Sequence, residues 1–443
     1  MTSKNVFILS LGCPKNTVDS TSMGALLERG GYTLCHDADH ADVILVNTCG
    51  FIDPAKAESL EVLQNLAAGK QSGQLLIAAG CLTQRYGAAI ASRVPGVDAI
   101  MGTRRWMDVL DVVEKARRIG GNKTLVHLPG MQGLSAEEQG VMRASLHGGS
   151  AFLEIADGCR RSCAFCAIPL IKGTTVSRPM EAVLADAERL QELGAREIIL
   201  IAQDTSSYGV DRGESDSLAE LLEQMVRRAP DVDWIRVLYA YPGAITGRLI
   251  DLMQSETQIL PYLDIPLQHA DVDVLRSMNR PSNMEGVRRT IDEMRKRMPD
   301  LALRTTFIVG FPTETEKAFQ NLLQFVEDVE FDRLGVFTYS PEEGTPAEPL
   351  GDPIPDEIKE ARRERIMETQ QALSLAINQR LIGQKLDVLI DGVGEGVSIG
   401  RTYRDAPEID GMVLIEEELE IGEIYPVRFS DALPYDLIGE RII

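Results

Sequence analysis

The sequence predicts an α/β protein in three parts: an N-terminal doubly wound parallel sheet, a central partial (β/α)6 barrel and a small C-terminal β-barrel. Three observations carry this. Short apolar runs alternate with amphipathic helical stretches over residues 1–118. After a Gly-rich interval at 119–150, a second alternating series of six runs fills 151–377. From 378 to 443 the helical period stops and β-like runs separated by Gly, Asp and Pro take over. A length of 443 residues suits about three domains.

In the first part the runs NVFILSL, DVILVNT, QLLIAAG and VDAIMG read as strands, and Thr17 to Arg29 and Pro54 to Ala68 as helices between them. Strand and helix in alternation imply parallel pairing. The stretch 119–150, with GGNKTLVHLPGMQG and LHGGS, reads as a linker. The second series is AFLEIA, EIILIAQ, WIRVLYAY, PYLDIPL, LALRTTFIVGF and RLGVFTY, with helices such as Met180 to Leu193 and Met284 to Met298 between them. Six units are too many for a small open sheet and too few for an eight-fold barrel. Pro355 to Ile382 reads as one long charged helix leaving it. KLDVLIDGV, GMVLIEE and EIYPVRFS then fit a barrel of about five strands.

The seven cysteines are unevenly placed. Cys159, Cys163 and Cys166 form C-x-x-x-C-x-x-C directly after the first strand of the second series. Structural zinc wants a fourth nearby Cys or His, and a redox pair would leave Cys159 idle. Three unrelated buried thiols sharing one loop with Arg160 and Arg161 is the bland alternative. An iron–sulfur cluster held by three thiolates fits best, and its open iron position marks a reactive site. Cys13, Cys49 and Cys81, 36 and 32 residues apart, each follow a predicted parallel strand. Such strand ends share one edge of a doubly wound sheet, where ligands bind, so the three can converge into a second site. Small buried core cysteines are the competing reading. Cys35 has no such placement and reads as a packing or surface residue.

The motifs SLGCPKNTVDS (10–20), VNTCGFID (46–53), AAGCL (78–82), DGCRRSCAFCAIP (157–169), IAQDTSSYG (201–209), DIPLQH (264–269), FIVGFPTET (307–315) and YSPEEGTPA (339–347) span nearly the whole chain. Together they resemble the methylthiotransferase family of the radical S-adenosylmethionine (SAM) superfamily. The resemblance implies an N-terminal methylthiotransferase domain, a radical-SAM domain and a C-terminal TRAM domain. It implies two 4Fe-4S clusters, one on Cys159, Cys163 and Cys166 that binds SAM, and an auxiliary one on Cys13, Cys49 and Cys81. It also implies SAM as methyl donor and radical source, an electron donor and a sulfur source. LGCPKN, NTCGFID and GRTYRDAPEIDG (400–411) resemble the branch that modifies the β-carbon of an aspartate in ribosomal protein S twelve, free or in the small subunit, rather than the tRNA adenosine branch. Thr21 and Thr313 stand where many relatives have Glu and Gly; neither adjoins a ligand position.

Within that resemblance, Gly310, Phe311 and Pro312 read either as a tight turn or as backbone contacts to SAM. Gln203 and Asp204 follow a strand and could meet SAM or substrate, and Phe165 could shield the cluster or pack near SAM. Gln268 and His269 end another strand, where a hydrogen-bonded structural His competes with a catalytic one. Lys15 and Asn16 either shape the loop beside Cys13 or, for Lys15, favour an anion.

The totals constrain partners. The net charge of −22 is a poor match for phosphate backbones and suits a basic partner, although acidity also serves solubility. Residues 378–443 hold six Lys or Arg against fourteen Asp or Glu. No run is long and apolar enough for a membrane span, and the N-terminus lacks a signal-peptide pattern, so a cytoplasmic protein is expected; the acidic balance argues against a tRNA substrate. A non-catalytic iron–sulfur or zinc protein is the rival of a different class.

Overall fold

A computed structural model of the chain describes residues 4–120, 123–130 and 140–442. The first sheet has six strands, all parallel: β1 (Lys4–Ser10), β2 (Tyr32–Leu34), β3 (Val43–Thr48), β4 (Leu75–Gly80), β5 (Ala99–Met101) and β6 (Leu125–His127), in the order 2-1-3-4-5-6. β3 and β4 are buried along their whole length, as parallel strands covered on both faces must be. Helix α1 (Pro14–Arg29) opens on Pro at its first position, where a missing N–H costs nothing. The strand order reverses at β1, so the crevice beside β1 and β3 is where a ligand site belongs.

The second sheet is built from β7 (Ala144–His147), β8 (Ser150–Glu154), β11 (Glu197–Ile201), β12 (Trp234–Val237), β13 (Ile259–Asp264), β14 (Ala302–Val309) and β15 (Arg333–Thr338), with a separate two-stranded ribbon, β9 (Ala156–Asp157) and β10 (Val176–Ser177), between β8 and β11 in sequence. β8 to β15 are the six expected strands and pair in parallel, while β7 adds an antiparallel edge. The stretch 119–150 is therefore more than a linker. Its Leu125–His127 closes one sheet and its Ala144–His147 borders the other. Both pieces are too short to show a period of their own, and they are strands because a neighbouring edge offers backbone partners. The expected long helix is Asp356–Gln379.

The last part is a closed barrel of β16 (Lys385–Gly394), β17 (Val397–Arg401), β18 (Val413–Ile415), β19 (Ile424–Ala432) and β20 (Leu437–Arg441). It has its own small core, including Val388, Ile390, Val413, Val427 and Phe429. Val18 of α1 and Leu389 and Ala406 of the C-terminal part join one cluster with Phe152, Ile199, Ile201, Leu260 and Tyr262. Among the described residues no helix is long and apolar enough to cross a membrane.

Candidate active site

Cys13, Cys49 and Cys81 follow β1, β3 and β4, three neighbours in the sheet, with Ser10 level with Asn47 and Thr48 level with Gly80. The loops they stand on press together. A Cβ on Gly12 would lie 2.8 Å from Cys49 Cβ and 3.0 Å from its Sγ, and one on Gly50 would lie 2.6 Å from Leu82 Cα. Asn16, buried, stitches all three loops. Its Nδ2 donates to Leu11 O (2.7 Å) and Thr48 O (3.3 Å), and its Oδ1 stands 3.8 Å from Cys81 Sγ. Asn16 thus shapes more than the loop beside Cys13. Cys35 lies apart, partly buried against the core of the same sheet.

The second triplet sits on the loop after β9. Cys159 N–H donates to Gly173 O (3.0 Å), closing residues 159–173 into one loop. Arg161 N–H points at Cys159 Sγ (3.4 Å), and Arg280 Nη1 lies 3.6 Å from Cys163 Sγ. Arg161 is held by Asp204 (2.7 Å), and both guanidiniums stack on Tyr241, at 3.7 and 4.3 Å from its ring centre. The carboxylate of Asp204 is thereby occupied in orienting Arg161. Gln203 Nε2 donates to Asp157 (3.3 Å), while its Oε1 is buried with no partner among the described residues.

Gly310 has a left-handed φ of 76°, and a Cβ there would lie 2.3 Å from Lys359 Cγ. Its N–H donates to Glu314, so the tight turn accounts for Gly310. Phe311 is fully buried edge-on to Tyr339 (5.2 Å), and Phe165 packs partly buried into the same cluster. Pro312 is half-buried beside them. His269 is buried, accepts from Asp271 N–H (2.9 Å) and faces Glu314 at 3.5 Å, which is the hydrogen-bonded structural arrangement.

Cys81 touches the loop of the second triplet. Cys81 packs against Ala167 and Ile171, and Ala167 directly follows Cys166. Burial pushes the thiols of Cys49, Cys81 and Cys159 up and that of Cys166 to about 12. Such thiols stay protonated on their own and ionise when a cation takes the proton's place. Among the described residues no three Cys, His, Asp or Glu donors close around one ion. A cubane has no such need, since each thiolate meets its own iron. Cys81, Cys159 and Cys163 are buried, and Cys13, Cys49 and Cys166 are partly buried. Two crowded three-thiol pockets of this kind suit clusters better than a single zinc.

Gly158 shows how little slack the second pocket has. Its φ is 74°, and a Cβ would lie 2.2 Å from Thr174 O. Gly158→Ala is expected to cost about 1–2 kcal/mol in backbone strain, with the clash added, and to displace the neighbouring Cys159. The check is iron content after anaerobic reconstitution, expected to fall by about half while the first triplet still loads.

A parallel sheet, a six-stranded partial barrel with the C-x-x-x-C-x-x-C loop after its first strand, and a closed terminal barrel define a class. Residues 153–326 match the radical SAM superfamily, 382–442 the TRAM domain, and 5–102 an uncharacterized protein family, UPF0004. The chain is thus a three-domain protein with a radical SAM domain. It is 43% identical over 98% of its length to the ribosomal protein uS12 methylthiotransferase RimO of Roseiflexus sp. (strain RS-1), covering 96% of that protein. It is 44% identical to the RimO of Lachnoclostridium phytofermentans, over 98% of this chain and 99% of the relative. The chain belongs to the uS12 methylthiotransferase family. Its fold is also similar to the radical SAM methyltransferase TsrM of Kitasatospora setae, with a TM-score of 0.56, 11% identity, and 90% and 81% of the two chains covered.

Proposed function

We propose that the protein attaches a methylthio group to the β-carbon of an aspartate in ribosomal protein uS12. Cys159, Cys163 and Cys166 hold the SAM-binding cluster, and Cys13, Cys49 and Cys81 hold an auxiliary cluster. The contact of Cys81 with Ala167, the residue after Cys166, supports this reading, because it brings one cysteine-bearing loop of the N-terminal sheet to the cysteine loop of the barrel. When bound, the SAM-binding cluster supplies the electron that turns SAM into a hydrogen-abstracting radical source, and the auxiliary cluster offers an open iron for sulfur.

The chain's own residues prepare the space. Ala167 and Ile171 lay apolar surface against Cys81. Phe165 and Phe311 extend an apolar floor beside the second trio, which keeps water from a radical. Gln203, with its free carbonyl oxygen, offers an acceptor to SAM or substrate. An electron donor and a sulfur source complete the reaction.

The terminal barrel bears on the substrate. Glu416, Glu418, Glu420 and Glu423 are exposed along one segment, while Asp405 and Asp410 turn inward to Arg333 (2.5 Å) and Arg304 (3.1 Å). The outward charge is therefore smaller than the domain's composition implies, yet it stays acidic and suits a basic protein more than an RNA backbone. Mass spectrometry of ribosomal proteins and tRNA from cells lacking the protein is the test. The expected result is loss of the methylthio mass on uS12 with tRNA unchanged. The reverse pattern assigns the tRNA reaction instead.

A further inference from the structure

Buried ion pairs join the N-terminal sheet to the barrel on two flanks of the paired trios. On one flank Asp19 of α1, six residues after Cys13, accepts from Lys172 Nζ (3.1 Å), Arg143 Nη2 (2.6 Å) and Thr103 Oγ1 (3.3 Å). Lys172 closes the cysteine loop of the barrel and also donates to Asp157 (3.3 Å), two residues before Cys159. On the other flank Glu342, after β15, accepts from Lys56 Nζ (2.8 Å) and Arg85 Nη1 (2.5 Å). Lys56 follows Cys49 on the helix Asp53–Gly69, and Arg85 follows Cys81 on the helix Cys81–Tyr86. Arg85 Nη2 also donates to Glu343 O (2.8 Å). Every thiol-bearing loop of the first trio is thus tied to the barrel by a charged residue close behind its cysteine.

Charges of this kind are a costly way to hold two domains together. Asp19, Lys172 and Glu342 are each only 1–2% exposed, and apolar residues of equal size would give comparable stability without the desolvation cost. What a hydrogen-bonded pair adds is direction. An apolar surface such as that of Ala167 and Ile171 can slide, whereas a carboxylate fixed by two cations cannot. Two reactive centres in different domains need that registry, since misplacement by about 1 Å can cost about 100-fold in rate.

We propose that the Asp19–Lys172 and Glu342–Lys56/Arg85 pairs are positioning residues that fix the spacing of the two trios, so that each hydrogen abstraction is followed by methylthio transfer to the same substrate. The proposal rests on the two-cluster reading. Its measure is the ratio of 5′-deoxyadenosine to methylthiolated product, which does not depend on the fraction of active enzyme. Reconstituted Glu342→Ala and Lys172→Met proteins are assayed with purified uS12, SAM, sulfide and dithionite, beside the unaltered protein. The ratio is expected to rise about tenfold in both, with iron content unchanged. The magnetic interaction between the two reduced clusters in EPR spectra is expected to weaken in parallel.

Glu342→Ala is the deciding variant. Lys56 keeps Asp53 as a partner and Arg85 keeps Gly50 O and Glu343 O, so no buried charge is stranded. A ratio and an EPR interaction equal to those of the unaltered protein overturn the proposal, whatever happens to thermal stability. A fall of both products in the same proportion overturns it too, because that is the signature of a merely structural role. If the unaltered protein itself holds only one cluster, the two-cluster reading fails instead.

Discussion

Cys163→Ala is expected to abolish SAM cleavage, whereas Cys49→Ala is expected to leave it intact and to stop methylthio transfer. Each replacement removes about half of the roughly eight irons expected per chain. The asymmetry follows from the geometry. Cys163 shares the 159–173 loop with Arg161 and Cys166, the loop proposed to hold the SAM-binding cluster. Cys49 stands on a different domain, at the edge of a sheet whose strands are continuous without it. Cys163 is buried with Arg280 Nη1 3.6 Å from its sulfur, and Cys49 is half-buried, its sulfur met by the backbone N–H groups of Gly50 and Phe51 in its own loop. The expected change in 5′-deoxyadenosine for Cys163→Ala is to the level of iron-free protein, read by chromatography after reduction. Loss of cleavage in both variants with all iron gone would mean one shared centre. Zinc at one atom per chain, with no cleavage by the unaltered protein, would replace the enzyme reading with that of a binding protein.

The parts of this site that the sequence displays are those with local grammar. The C-x-x-x-C-x-x-C loop needs only its own spacing. The other trio is legible because each cysteine follows an apolar run, and parallel strands must end on a common edge. All six barrel strands show as runs for the same reason: buried parallel strands are nearly continuous in apolar residues. The strands Tyr32–Leu34 and Leu125–His127 escape because three residues carry no period, and only a neighbour's edge makes them strands. Val397–Arg401 and Leu437–Arg441 escape in the same way, since closure of a small barrel is a tertiary event.

The polar residues that organise the site were the least legible. Asn16 reads as a loop-former until the three loops it joins are in place. Lys172 and Glu342 look like solvated charges in sequence, and only folding shows them buried between domains 153 and 286 residues from their partners Asp19 and Lys56. The acidity of the terminal domain misleads in the opposite direction, because composition cannot tell an outward glutamate from an aspartate turned onto a barrel arginine. Asp405 and Asp410 are of the second kind, so any argument from charge about the partner rests on the Glu416–Glu423 segment.

The same inward charges hold the terminal barrel to the central one, and the largest stability effect is expected there. Glu197 opens β11 and is fully buried. Its Oε1 accepts from Arg236 Nε (2.7 Å), and its Oε2 from Arg401 Nη2 (2.9 Å) and Ser150 Oγ (2.9 Å). Arg401 ends β17 and also holds Asp391 (2.7 Å), so the pair crosses the domain boundary. Arg401→Met strands the Glu197 charge in part and is expected to cost about 3–5 kcal/mol, seen as earlier loss of the terminal barrel in urea. The pH dependence provides an independent check. Burial alone would raise the Glu197 carboxyl, but Arg401 and Arg236 outweigh it and bring it from 4.5 to about 2. A carboxyl held low in the folded state stabilises the protein above its unfolded value and ceases to do so as acid protonates it. The contribution, about 3 kcal/mol, is therefore complete above about pH 4.5 and is lost as pH falls towards 2. In Glu197→Gln that stretch of the stability curve flattens, measured as the difference from the unaltered protein. An unchanged slope between pH 4.5 and 2 would mean that the arginines do not hold the carboxylate.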